Sequence, residues 1–77
     1  MSREKQHEAS VLQSLSPRER EVLVLVVQGG TSKEIACVVG VKPSTVDTYR
    51  SRIMAKLNVQ DLPALVRFAV RHGLIKP

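Results

Sequence analysis

Helix-start signals recur along this chain, and they constrain its fold more than any other feature. Four occur in order, namely SPRE at 16–19, TSKE at 31–34, Pro43 and Asp61. The first two are capping boxes, in which the first and fourth residues satisfy each other's backbone N–H groups. Glycines at 29–30, 40 and 73 stand where the intervening helices should end. The sequence therefore predicts an all-α fold, a compact arrangement of four helices without a strand.

The first of these helices carries an ambiguous core segment. Residues 22–27 are apolar throughout and mostly β-branched, which also suits a buried strand. The capping box at 16–19 and the four charged residues at 18–21 favour a helix. We expect this helix to be buried on most of its faces.

The third predicted helix, from Pro43 to about Leu57, has two distinct faces. At about 100° per residue, one stripe is apolar and is formed by Val46, Tyr49, Ile53 and Leu57. The opposite face is small and polar, with Ser44, Thr48, Ser51 and Ala55 at its centre. Together with the short helix before it, this helix has a helix-turn-helix layout. On this pattern alone, a polar face that merely contacts solvent is an equally good interpretation.

Charge is distributed unevenly along the chain. The net charge is +5, and residues 1–41 contribute five basic and five acidic groups, so all of the excess lies in residues 42–77. Such a concentration suits a polyanionic partner. We assign the candidate base-edge contacts to Asp47, Thr48, Ser51 and Arg52. We assign the candidate phosphate contacts to Lys33, Lys42, Thr45, Arg50 and Lys56.

Four linked stretches closely resemble the LuxR-type DNA-binding domain, especially its NarL/FixJ response-regulator branch. They are LSPREREVL at 15–23, KEIA at 33–36, TVDTYRSRIMAKLNV at 45–59 and GLI at 73–75. The resemblance implies a four-helix domain whose third helix reads double-stranded DNA and whose fourth helix forms a homodimer. It also implies an N-terminal receiver or ligand-binding domain. It places Asp47, Thr48 and Ser51 at positions that commonly touch bases, and Thr45 and Lys56 at positions that commonly touch phosphate.

Two residues depart from the family pattern. The family often has lysine where this chain has Asp47, and an acid there repels phosphate. Asp47 could help only by accepting from cytosine or by orienting Arg50 or Ser51. The family often has a serine cap where this chain has Lys42. Ser44 could cap the third helix instead, or a phosphate could hold its end.

The fourth helix offers more apolar surface than one stripe requires. We expect Val66 and Ala69 to face the core, and Leu62, Leu65 and Phe68 to form the dimer interface. The alternative is that all of these residues are core. We interpret residues 1–14 as a linker, helical or disordered, and residues 15–77 as the folded domain.

Catalytic and metal-binding signals are lacking. The sequence has no nucleophile motif, phosphate-binding glycine loop or paired carboxylates. The single cysteine, Cys37, excludes an internal disulfide and a multi-cysteine zinc site, and we expect it to be a buried or half-buried small hydrophobe. With no signal peptide or membrane span, the sequence predicts a cytoplasmic protein that is not an enzyme and needs no cofactor.

The predicted function is sequence-specific DNA binding in transcriptional regulation, as the C-terminal output domain of a two-component response regulator. RNA polymerase is a possible further partner. A free-standing small regulator is a close variant, although residues 1–14 resemble the end of an interdomain linker. The alternative from another class is a protein-interaction module that keeps the fold and has lost DNA binding.

Overall fold

The computed structural model describes residues 10–75. They form a helical segment over residues 10–14, followed by four helices. These are α1 (Pro17–Val27), α2 (Ser32–Val39), α3 (Pro43–Leu57) and α4 (Leu62–Arg71). Residues 10–75 contain no strand, which confirms the predicted all-α fold. None of the helices in this range has the length and apolar character needed to cross a membrane.

The predicted caps begin three of the helices. The Glu19 amide donates to the Ser16 hydroxyl at 3.1 Å, and the Glu19 carboxylate accepts from the Ser16 amide at 2.9 Å. Thr31 and Glu34 make the same reciprocal pair at the start of α2. Asp61 accepts from the Ala64 amide at 2.8 Å. Each bond satisfies a backbone group that the helix itself leaves without a partner, which is why these starts could be read from local sequence.

Two glycines fix the position of α2. Gly40 adopts the left-handed conformation at φ 75° and donates its amide to the Ala36 carbonyl, which ends the helix. A Cβ atom at Gly30 would lie 3.0 Å from the Ile35 side chain and 3.1 Å from the Leu25 carbonyl. The loop between α1 and α2 therefore packs too closely for a side chain at Gly30.

One hydrophobic core joins all four helices and the segment before them. Val46 and Ile53 of α3 are at most 1% exposed and Leu57 is 7% exposed, which confirms most of the predicted stripe. Tyr49, the fourth member, is only half-buried. The polar face of α3 consequently points away from the protein interior.

The structure corrects the predicted division of α4. Leu65 and Phe68 are 1% and 0% exposed and lie in the core, so they are not available as dimer contacts. Ala69 is buried as predicted, whereas Val66 is half-buried. The reason is the direction in which α4 packs on α1. This packing turns residues 65, 68 and 69 towards the core. Leu62, at 45% exposure, keeps an outward position.

Two smaller expectations also change. Leu12 is 7% exposed and belongs to the core, so the folded unit includes part of the segment predicted as a linker. Residues 1–9 of that linker lie outside the described residues. Cys37 is exposed rather than buried, because the short helix α2 turns Ile35, Ala36 and Val39 inward and leaves Cys37 on its outer side.

Candidate nucleic-acid interface

The outer face of α3 gathers the predicted base-contacting residues on one accessible surface. Its exposed members are Ser44, Asp47, Thr48, Ser51, Arg52 and Ala55. All but Arg52 have short side chains, so the helix backbone can approach a surface closely along this face. A major groove of B-DNA is wide enough to admit an α-helix.

Asp47 is held by a residue that sequence reasoning missed. The Ser32 hydroxyl donates to Asp47 Oδ1 at 2.5 Å. Ser32 is the first residue of α2, so this bond connects the two helices of the helix-turn-helix unit. The partner of Asp47 is thus neither Arg50 nor Ser51, the two residues considered from the sequence. No local pattern signals a contact between residues fifteen positions apart.

Thr48 makes a hydrogen bond within its own helix. Its hydroxyl donates to the Ser44 carbonyl at 3.1 Å. Threonine hydroxyls in helices often bond back in this way. With the hydroxyl hydrogen engaged, Thr48 can still offer an outside partner its methyl group or a lone pair of its hydroxyl oxygen.

A shallow hollow of about 210 Å³ lies beside Thr48. It is lined by Thr45, Thr48, Tyr49 and Arg52, which follow one another at helical spacing. Tyr49 was predicted only as a core residue, yet it is half-buried and contributes to this wall. Its phenol adds a hydrogen-bonding group of the kind that contacts DNA phosphate. The sequence signal that could have suggested this role is the position of the tyrosine at the edge of the apolar stripe, where its ring can pack while its hydroxyl stays accessible.

The basic residues around α3 differ in whether they form ion pairs within the domain. Lys33, Lys42 and Arg52 are exposed, and Arg50 is half-buried near the apolar stripe. None of these four forms an ion pair with another described residue. Their charges are therefore available to an external anion.

Lys56, in contrast, is engaged inside the domain. Its ammonium lies 2.9 Å and 3.0 Å from the two carboxylate oxygens of Glu19 in α1. The Glu19 side chain is 7% exposed and that of Lys56 is 44% exposed. A lysine ammonium has three N–H donors, so this pair leaves one for a phosphate. Lys56, predicted as a phosphate contact, therefore also links α3 to α1 within the domain.

The Glu19 carboxylate is stabilised in its ionised form. Its pKa lies below the ordinary value of 4.5, chiefly because the Ser16 backbone amide donates to it and next because the Lys56 ammonium does. Burial opposes this shift but does not overcome it. The Glu19 carboxylate therefore remains ionised at neutral pH.

The start of α3 has no side-chain cap. Lys42 occupies the capping position without a side-chain hydrogen bond, and Pro43 and Ser44 lie inside the first turn. Ser44 therefore does not replace the missing serine cap, contrary to one expectation from the sequence.

Among residues 10–75, no cluster of three or more metal-ligating side chains occurs.

Comparisons with known proteins agree with this architecture. The family model for bacterial regulatory proteins of the luxR family matches residues 13–69. The chain is 49% identical over 69 residues to a Pseudomonas aeruginosa protein named as a transcriptional regulator, covering 90% of this chain and 33% of that protein. It is 47% identical over 62 residues to the transcriptional regulatory protein FixJ of Rhizobium meliloti, covering 80% of this chain and 30% of that protein.

A solved structure extends the similarity to three dimensions. Full-length FixJ from B. japonicum superimposes with a TM-score of 0.82 at 38% identity, covering 92% of this chain and 35% of the FixJ chain. The chain thus spans about a third of the length of these relatives. The match of the family model over most of the folded region establishes that this chain belongs to the LuxR family of bacterial regulatory proteins and has its helix-turn-helix domain.

Proposed function

We propose that this domain binds double-stranded DNA in a sequence-specific manner and acts in transcriptional regulation. The outer face of α3 enters the major groove, where Asp47, Thr48, Ser51 and Arg52 face base edges. The residues assigned to flanking phosphates are Lys33, Lys42, Thr45, Arg50 and Lys56, the last through its remaining N–H. Base contacts supply sequence preference, and phosphate contacts supply much of the affinity.

The observation that carries this proposal is the composition of the exposed face of α3. Its centre is small and polar, and four nearby cations have no ion-pair partner among the described residues. The short side chains let the helix backbone approach a groove, and the surrounding cations can pair with phosphates.

The proposal is tested by binding the chain to a library of random DNA duplexes at two salt concentrations and sequencing the bound fraction. We expect a conserved motif to be enriched and affinity to fall as salt rises. Salt-dependent binding without enrichment would show a nonspecific binder. No binding at either salt concentration would support a protein-interaction module instead.

A homodimer through α4 is the second part of the proposal. We assign this interface to the outward side of the helix, because Leu65 and Phe68 lie in the core. There Leu62 is exposed, and Val66 and Val70 are half-buried at successive four-residue intervals. A single module of this kind buries roughly 600–1,000 Å² on DNA. Two linked copies gain affinity by engaging paired half-sites, so the enriched motif should have two-fold symmetry.

Replacement of one exposed residue tests this interface. We expect Leu62→Asp to leave a folded monomer that no longer dimerises on DNA, because a carboxylate would be buried in the interface. Sedimentation of protein–DNA complexes measures the stoichiometry. Val38→Asp is the matched control, since Val38 is the other large hydrophobic residue exposed on the described surface. Equal stoichiometry for both variants and the unchanged chain would refute this interface.

The resemblance to FixJ supports a place for the domain at the C-terminal end of a two-component response regulator. In that arrangement an N-terminal receiver domain controls the access of α3 to DNA. A cytoplasmic location and contact with RNA polymerase accord with such a role. Joining the domain to a receiver and measuring DNA affinity with and without receiver phosphorylation would test the regulation.

A further inference from the structure

The bond between Ser32 and Asp47 lies where α2 meets the outer face of α3. Among residues 10–75 it is the one side-chain hydrogen bond that joins these two helices. It lies beside the face proposed to read DNA, and the Asp47 residue itself is exposed. A hydrogen bond at such a site contributes little to folding stability, because water can replace either partner. Its main physical effect is on the orientation of the Asp47 side chain.

Ser32 is suited to hold another group because its own backbone is fixed. The capping box of Thr31 and Glu34 closes the first turn of α2 on both sides of it. The preceding Gly30 packs closely against the Leu25 carbonyl and the Ile35 side chain, as described above. The hydroxyl of Ser32 thus projects from a well-packed helix start.

Without this bond, Asp47 would have an alternative partner in its own helix. Arg50 lies three positions further along α3, a spacing at which oppositely charged side chains interact. An Asp47–Arg50 ion pair would engage both the carboxylate and a cation proposed for phosphate. In the structure the carboxylate bonds to Ser32 instead, and Arg50 has no ion-pair partner among the described residues.

We propose that Ser32 is a positioning residue for base recognition and that it determines how Asp47 reads DNA. The hydroxyl engages Oδ1, and Oδ2 is left to accept a hydrogen bond from the amino group of a cytosine. Among major-groove edges, cytosine N4 offers a donor without the adjacent acceptor that adenine carries at N7, and an acidic side chain is suited to it. Phosphate is excluded as the partner because both groups are negative. This inference rests on the proposed function.

The test compares base preferences in the random-duplex selection for the unchanged chain, Ser32→Ala, Asp47→Ala and the double variant. We expect Ser32→Ala to reduce the preference for cytosine about three- to tenfold at one base pair of each half-site, the value of one hydrogen bond. Asp47→Ala should relax the same base pair. The double variant should match Asp47→Ala alone, since Ser32 acts only through the carboxylate.

Three further variants separate positioning from a structural role. Ser32→Thr keeps the hydroxyl and should retain the preference. Ser32→Pro also removes the hydroxyl, but proline is well suited to the first position of a helix. It should therefore lose the cytosine preference as Ser32→Ala does, and it provides a folded variant without the hydroxyl if alanine weakens folding. Ser14→Ala removes a serine hydroxyl bond at a distant place and should change nothing.

The outcomes distinguish the two proposals. If the unchanged chain enriches no motif, the proposed function fails and this inference fails with it. If a motif is enriched but Ser32→Ala and Ser32→Pro retain its full preference, the positioning role alone is wrong. A uniform loss of affinity for all sequences without any change in base preference, or relaxation at a base pair that Asp47→Ala leaves unchanged, would also overturn it.

Discussion

Two polar links join α3 to its neighbouring helices, one towards each end, and they differ in burial. Near its C-terminal end, Lys56 bonds to Glu19 of α1, whose carboxylate is almost completely buried. Near its N-terminal end, exposed Asp47 accepts a bond from half-buried Ser32 of α2. Both links join residues distant in sequence, and both involve a carboxylate.

Burial gives the two links different roles. Breaking an ion pair at a carboxylate that is only 7% exposed costs stability, because water can hardly replace the lost interaction. Removing a partner from an exposed carboxylate costs little, because water takes its place. We therefore expect the Glu19–Lys56 link to add to the stability with which α3 packs on α1, and the Ser32–Asp47 link to influence what α3 recognises.

The sharpest test of this difference uses two isosteric substitutions. We expect Glu19→Gln to lower the free energy of unfolding by about 1–3 kcal/mol, because it removes the ion pair while glutamine can still complete the capping box. Asp47→Asn should change it by less than about 0.5 kcal/mol. Urea unfolding followed by circular dichroism measures both. Equal losses would contradict the assigned roles.

Acid should weaken the buried link. The pKa of Glu19 is lower in the folded chain than its ordinary value of 4.5. The resulting stabilisation is complete above that value and is lost as pH falls through the folded pKa. The free energy of unfolding should therefore decrease from neutral pH to about pH 3, and less steeply in Glu19→Gln. Parallel pH profiles for the two proteins would show that Glu19 is not the group responsible.

The salt dependence of DNA affinity should distinguish a cation that is paired within the domain from one that is not. Arg50→Ala should weaken binding to all sequences and reduce the slope of log affinity against log salt by about one. Lys56→Ala should reduce that slope by less than half as much, because its ammonium is already neutralised by Glu19. Duplex titrations over a range of salt give both slopes. A larger change for Lys56 would make it the principal phosphate contact.

The smallest effect concerns a single methyl group beside the exposed link. Thr48→Ser keeps the hydroxyl that bonds to the Ser44 carbonyl and removes the methyl, whereas Thr48→Val does the reverse. If Thr48 reads a thymine methyl, serine should lower the preference for thymine at one base pair about threefold and valine should retain it. Selection from the random-duplex library measures this. Loss of the thymine preference in Thr48→Val but not in Thr48→Ser would assign the contact to the hydroxyl.

Local chemistry made much of the fold predictable. The capping boxes at 16–19 and 31–34 act over three residues, so their geometry follows directly from sequence. The apolar stripe of α3 follows from helical periodicity, and Val46, Ile53 and Leu57 are buried as expected. The grouping of Asp47, Thr48 and Ser51 on one face has the same origin.

The errors arose where two helices had to be placed against each other. The fourth helix is apolar around much of its surface, so periodicity could not decide whether Leu65 and Phe68 face outward with Leu62 or inward with Ala69. The packing of α4 on α1 decided it. The same reason explains why Cys37 was expected to be buried and is exposed.

By itself, the sequence determined the helix starts, the helix ends and the apolar face of α3, because each depends on interactions within a few residues. The tertiary structure alone decided which charges are available to a partner. It gave the capping residue Glu19 a second bond, to Lys56, and it gave Asp47 the hydroxyl of Ser32. These contacts depend on the directions in which whole helices run, and no local pattern records those directions.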